Sequence, residues 1–371
     1  MTTIFFAVAP VSAWEKWDWA FKTIMFSAFI PLVFRSKIQI EAFLAIYIFA
    51  AAVHIVPVGL KTIISGGGYG RELGVVGGNS LFSEGSTLAA VSLTLIPITL
   101  YLRKHSQLLP RWKVVQLGYI ALIVVMLAAA IGTYARTGLV GIVVLIAALW
   151  LRSDRKILGA FVGAAVALGV MAFTSTAWNE RISTITDYQS EDSAMGRILV
   201  WQWTLQFVAT HPAGGGFNSY LVNELRFPPN AYNPEGVVVR GKAFHSIYFE
   251  ILGEHGWPGI ILFAGLILTS LISLQVVVRR SRLMPELSAC RDLAFALQVS
   301  LVVMLVCGLF IGVAFQPMLY YLFALSACVS HHAQRVQLQN AGMAELGGAM
   351  FRRYRANLGV EAGMNTRSTT S

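Results

Sequence analysis

Nine apolar runs, near 19–34, 38–60, 86–102, 114–134, 138–151, 157–174, 257–278, 293–314 and 318–332, dominate the chain. Most approach the roughly 20 residues that carry an α-helix across a bilayer, where a helix is favoured because it satisfies its own backbone hydrogen bonds. Charge is correspondingly scarce: 12% of the 371 residues are Asp, Glu, Lys or Arg, about half of what a soluble domain carries. A soluble enzyme, a disulfide scaffold and a disordered chain are excluded. The expected fold is all-α: a polytopic integral membrane protein of about nine transmembrane helices with one large external loop.

The net charge of +10 adds an orientation. Basic residues fall in alternate connections: Arg35 and Lys37; Arg103, Lys104, Arg111 and Lys113; Arg152, Arg155 and Lys156; Arg279, Arg280, Arg282 and Arg291; then Arg335, Arg352, Arg353, Arg355 and Arg367 in the tail. Placing these in the cytoplasm, where Lys and Arg of short loops stay, accounts for 18 of the 28 basic residues. The N-terminus is then outside and the C-terminus inside. Trp14, Trp17 and Trp19 cluster where the first helix meets the interface, as amphipathic rings prefer. The positive excess is a topology signal that requires no nucleic acid; the partners it implies are membrane lipids.

The chain divides into an N-terminal transmembrane bundle of about six helices over 1–174, an external loop over 175–256, C-terminal transmembrane helices over 257–332 and a cytoplasmic tail over 333–371. The tail has little apolar mass and is expected to be disordered or to lie on the membrane surface. Ile4 to Ala13 is apolar but too short to span and lacks a basic n-region, so it reads as the remnant of a longer N-terminus and not as a signal peptide. Cys290, Cys307 and Cys328 all fall in or beside the last two helices, so no exterior disulfide is expected.

The external loop is long enough to carry function. From Gly196-Arg197 through Trp201, Trp203, Leu205 and Phe207, apolar residues recur at helical spacing, which predicts a helix lying along the membrane face. His211-Pro212 stops it. The glycines at 214–216 are either a plain turn or a concavity of backbone N–H groups for an anion. Further on, His245, Glu250, Glu254 and His255 stand at the mouth of the seventh run, where charged and polar groups are costly unless they face water or a cavity. The two histidines are ten positions apart, which does not suit a helical metal pair; no metal site and no cofactor are expected. A neutral His at the membrane edge suits removal of a proton from a hydroxyl, and His245 is the candidate base, an interfacial hydrogen-bonding role being its alternative. His255, beside Gly256 and Pro258, reads as part of a bend.

Arg136 lies in a four-residue external turn between two long apolar runs. A guanidinium there either snorkels or holds a carboxylate or phosphate. Arg197 opens the predicted interfacial helix, where a cation is out of place unless an anion lies beside it. Together they would clamp a pyrophosphate. Arg240, Glu254 and His255 complete the candidate set. Asp-x-Asp, Gly-x-Ser-x-Gly, a P-loop and CxxC are all missing from the sequence, which removes support for metal-dependent transfer from nucleotide sugars, serine hydrolysis and ATP-driven work.

Several segments together resemble the O-antigen ligase and O-antigen polymerase superfamily of bacterial envelope proteins, closest to the O-glycosylation ligases associated with exosortase A systems. They are Val58 to Tyr69, Gly132-Thr-Tyr-Ala-Arg136-Thr-Gly138, Ser193 to Arg197 with Trp201, His211-Pro212 with its glycines, and His245-Ser246 followed after nine residues by Gly256-Trp-Pro-Gly259. The resemblance implies an inner-membrane protein whose active site faces the periplasm. It further implies transfer of a glycan from an undecaprenyl-pyrophosphate carrier to a lipid, protein or polysaccharide acceptor, without metal or nucleotide and with inversion. His245 would be the essential His, and Arg136 and Arg197 the arginines on the pyrophosphate. Two departures stand: fewer spans than the family usually carries, and Ala135 where a Ser precedes the first arginine. The first implies a fold incomplete at one edge or a longer natural N-terminus. A polymerase of the same superfamily, a lipid-linked glycan transporter and a non-catalytic assembly partner are the competing readings.

Overall fold

A computed structural model describes residues 5–65, 84–152, 156–157, 163–164, 192–227 and 235–365. Helix α1 (Pro10–Val33) begins with a proline in its first turn, where the missing N–H costs nothing. It is followed by α2 (Lys37–Ser65), α3 (Gly85–His105), α4 (Lys113–Gly132) and α5 (Arg136–Arg152). Next come α6 (Asp192–Thr210), a hairpin of β1 (Glu224–Phe227) and β2 (Val237–Arg240), α7 (Ile247–Arg280), α8 (Ser288–Cys307) and α9 (Pro317–Asn365).

Helix α3 is the bundle's axis, packing against α2, α4, α5 and α8. Within its most apolar window 83% of residues are buried, against 28% for α4 and 22% for α7, so the outer helices turn most of their apolar surface outward, as lipid-facing helices do. Polar side chains on the axis are small and self-satisfied: Ser92 donates to the Leu88 carbonyl at 2.7 Å, Thr99 to Leu95 at 2.9 Å, and Ser300 of α8 to Thr94 at 2.6 Å. Such bonds let helices approach closely in hydrocarbon without leaving a buried donor unmade.

The two ends of the bundle differ. At one, Lys104 and His105 meet Asp292 at 2.6 and 2.8 Å, Ser106 and the Gln107 and Leu108 amides donate to Glu41, and Arg335 donates to the Arg35 carbonyl at 2.7 Å. Residues from four of the basic connections thus gather on one side. At the other end, the Val8 amide donates to Gly215 and the Asn218 side chain to Ser12, which ties the start of α1 to the segment after α6.

Five described helical stretches are long and apolar enough to span: α2, α3, α4, α7 and Pro285–Cys307; Arg136–Leu151 is shorter. The apolar runs of α1 and α9 are embedded in longer helices with more polar residues, and most of the expected span at 157–174 lies outside the described residues. Beyond 333, α9 continues as a helix to Asn365, because Ala, Leu, Gln, Glu and Arg are strong helix formers and no proline interrupts them. The described residues are consistent with the expected all-α membrane fold, with one small addition after α6: β1 and β2 pair antiparallel, with Glu224 opposite Arg240 and Leu225 opposite Val239.

Candidate active site

The site is organised by a break in α7. Gly256 has φ 62° and ψ −157° inside an otherwise helical run, a conformation open to glycine and strained for other residues. A Cβ there would collide with the Pro212 carbonyl and the Gly214 amide, so the position has room for no side chain either. The broken turn is held by the segment that stops α6: the Trp257 amide donates to Pro212 at 3.0 Å, Gly215 to Gly253 at 2.9 Å and Gly216 to Glu254 at 2.9 Å. The Gly214 amide donates to His211 at 2.8 Å. All three glycine N–H groups at 214–216 are therefore engaged with carbonyls, which decides for the turn over the anion concavity.

Beside this break lies an ion cluster that crosses the molecule. Lys16 of α1 reaches Glu250 at 2.6 Å and Glu254 at 2.7 Å. All three are buried, Glu254 completely. Glu254 also accepts from the Asn218 amide at 2.9 Å, and the second oxygen of Glu250 accepts from the Ala314 amide at 3.0 Å. The other oxygen of Glu254 has no hydrogen-bond partner among the described residues. His255 packs edge-on against Phe217 and Phe315, with ring centroids at 4.7 and 5.3 Å, in keeping with a packing role at the bend.

His245 is held from both sides. The Trp201 indole of α6 donates to the Phe244 carbonyl at 2.9 Å, while Asn223 exchanges hydrogen bonds with Lys242 at 2.7 and 3.0 Å. After it, the Ile247 amide donates to Gly308 at 2.8 Å and the Tyr248 hydroxyl to Leu305 at 3.0 Å. The backbone at His245 is left-handed, φ 50°. Among the described residues only Tyr134 and Asn218 share that trait without being glycine; Tyr134 stands two residues before Arg136 and Asn218 touches the ion cluster. Each such residue costs on the order of 1–3 kcal/mol, and strain of this kind concentrates where side chains must be aimed.

Burial first, then the charges of Arg197 and Lys242, push His245 down to about 4, with Glu250 opposing. The imidazole is neutral at pH 7. Lys242 lies over Gly196, where a Cβ would meet its side chain, so two cations, Arg197 and Lys242, adjoin the histidine. Arg136 opens α5; its neighbour Thr137 offers its carbonyl to Cys307 at 3.8 Å, next to the Gly308 that receives Ile247. This chain of contacts puts Arg136 at the same end of the bundle. Arg240 forms an exposed cross-strand pair with Glu224 at 2.7 Å.

A cavity of about 340 Å³ is lined by Ala243 and Phe244, which precede His245, and by Gly312, which packs against the His245 backbone; His245 itself is not one of its walls. Its floor is the ion cluster, and its walls include Trp19, Tyr220, Phe244 and Phe315 with Glu15, Asn218 and Gln316. Sequence reasoning missed Lys16 and Asn218. The signal for Lys16 was present, a cation inside a tryptophan-rich helix start, but its partners lie 234 and 238 residues away.

Fold and site together define a multi-pass helical membrane protein with a polar cap, in which a neutral histidine under the influence of two cations adjoins the residues that line an acidic, aromatic cavity. Residues 121–264 match a family model described as O-antigen ligase, a stretch that holds Arg136, Arg197 and His245. Residues 1–107, which include Lys16, match a family of unknown function (DUF5935). No curated protein matches the chain. The O-antigen ligase domain supports glycan transfer in envelope polysaccharide assembly.

Proposed function

We propose that the protein transfers a glycan from an undecaprenyl-pyrophosphate carrier to an acceptor hydroxyl on the outer face of the bacterial inner membrane. The observation that carries the reading is the convergence, inside the O-antigen ligase match, of His245 with Arg197 and Lys242. His245 takes the proton of the acceptor hydroxyl as its oxygen bonds to the anomeric carbon. The bond from that carbon to the pyrophosphate oxygen breaks, and Arg136 and Arg197 stabilise the charge that develops there. Attack from the face opposite the leaving group inverts the anomeric centre. Gathering of the basic connections at the far end of the bundle supports a periplasmic orientation. Within the superfamily, the segments quoted above favour the O-glycosylation ligases of exosortase A systems.

A base held at about 4 is weak. Burial is the larger cause of that weakness and persists; an arriving pyrophosphate offsets the lesser one, the charges of Arg197 and Lys242, and so shifts His245 toward higher basicity in the loaded complex. The test is product analysis with purified protein in lipid nanodiscs, an undecaprenyl-pyrophosphate glycan and candidate acceptors. Release of undecaprenyl pyrophosphate with a new glycosidic bond of inverted configuration is expected. Retained configuration, or no product with any lipid, protein or glycan acceptor, would refute the proposal.

A further inference from the structure

We infer that the cavity beside His245 is the acceptor subsite, and that it takes a neutral or amino sugar and rejects phosphorylated and uronic sugars. The inference rests on the glycan-transfer reading and adds the chemical class of the acceptor. Three observations carry it.

The first is charge. Glu15, Glu250 and Glu254 line the cavity against Lys16 alone, while Arg197 and Lys242 are not among its walls. The cavity walls therefore carry more negative than positive groups, while the cations that act on His245 lie outside them. A pyrophosphate goes to the cations, and an anionic sugar is repelled from the cavity. An in-line displacement puts acceptor and leaving group on opposite faces of the anomeric carbon, which gives the cavity to the acceptor.

The second is shape and chemistry. About 340 Å³ is within the range of sites for small organic ligands, about 300–1,000 Å³. Trp19, Tyr220, Phe244 and Phe315 offer apolar faces for sugar C–H groups, and Asn218, Gln316 and Glu15 offer hydrogen-bonding groups for hydroxyls. The third is Glu254, fully buried at the floor, with one oxygen lacking a donor among the described residues. The cavity also joins the two matched regions: Glu15, Lys16 and Trp19 come from residues 1–107, and residues 218–254 come from the O-antigen ligase match. The N-terminal region thereby acquires a role, as one wall of the acceptor subsite.

The test uses the full chain in nanodiscs and saturation-transfer NMR with four probes: methyl glucopyranoside, methyl glucosaminide, methyl glucose 6-phosphate and methyl glucuronide. The first two are expected to receive saturation and the last two not. Trp19→Ala is expected to weaken the signal about tenfold through loss of a stacking face, and Trp19→Phe to keep it. Glu15→Lys, at an exposed position, is expected to admit the phosphorylated sugar. Equal binding of neutral and anionic probes to the wild type, or a pattern unchanged by Trp19→Ala and Glu15→Lys, overturns the inference. Transfer from the lipid-linked donor is measured in parallel. Selective binding without transfer refutes the glycan-transfer reading and leaves the subsite; transfer without selectivity refutes the subsite alone.

Discussion

Lys16→Met keeps the length of the α1 side chain and removes its charge. Glu250 and Glu254, at 6% and 0% exposure, then lose the ammonium that contacts both at 2.6 and 2.7 Å. Deleting one partner of a buried ion pair costs about 3–5 kcal/mol, because the charge left behind remains desolvated. In a chain of 371 residues that corresponds to a fall in Tm on the order of 5 °C. The tie between α1 and the cap also weakens, so transfer falls with stability. The informative assay is a double-mutant cycle by thermal melting in nanodiscs. Glu254→Gln, which keeps the side-chain volume and removes one carboxylate charge, is combined with Lys16→Met, and the pair is expected to recover about 1–3 kcal/mol relative to the sum of the single variants. A Lys16→Met melt within 1 °C of wild type, an estimate well below the expected shift, would refute the electrostatic account of the cluster, as would strict additivity.

Three further outcomes follow from the same structure. Arg197→Gln removes a cation that lowers the His245 proton affinity, so the acid limb of the pH–rate profile for donor-free enzyme, read in kcat/KM, shifts to higher pH from its position near 4; a limb that stays put or moves down contradicts the placement of Arg197 beside His245. Gly256→Ala forces a Cβ into a backbone conformation open essentially to glycine alone and against the Pro212 carbonyl, costing about 1–3 kcal/mol for the conformation with the collision added, and thermal melting should show a clear loss. Arg240→Ala disrupts only an exposed hairpin pair and should change stability by less than about 1 kcal/mol, as measured in the same melts.

What could be read from the sequence was what depends on local pattern. Helical spacing of Trp201, Trp203 and Phe207 placed α6, and His211-Pro212 ended it within a residue of Thr210. The Gly256 to Pro258 bend was legible because both residue types disfavour a regular helix. Lys16 was not, since pairing with Glu250 and Glu254 depends on how α1 crosses the cap, and no periodicity encodes a partner so distant. The hairpin escaped because strands of four residues give too little alternation to register. The helix of the tail was not read for a different reason: low apolar mass argues against burial, but helix propensity is independent of burial. The cross-strand pairing of Arg240 with Glu224 was likewise invisible, because it depends on the hairpin register.

Turnover of an undecaprenyl-pyrophosphate glycan by purified wild-type and His245→Ala protein, at equal membrane insertion and with acceptor saturating, bears on the role of His245 without intermediates. Loss of a positioned base is expected to lower kcat by about 10²–10⁴, with donor binding retained through Arg136 and Arg197. A His245→Ala enzyme that turns over at the wild-type rate would contradict the assignment.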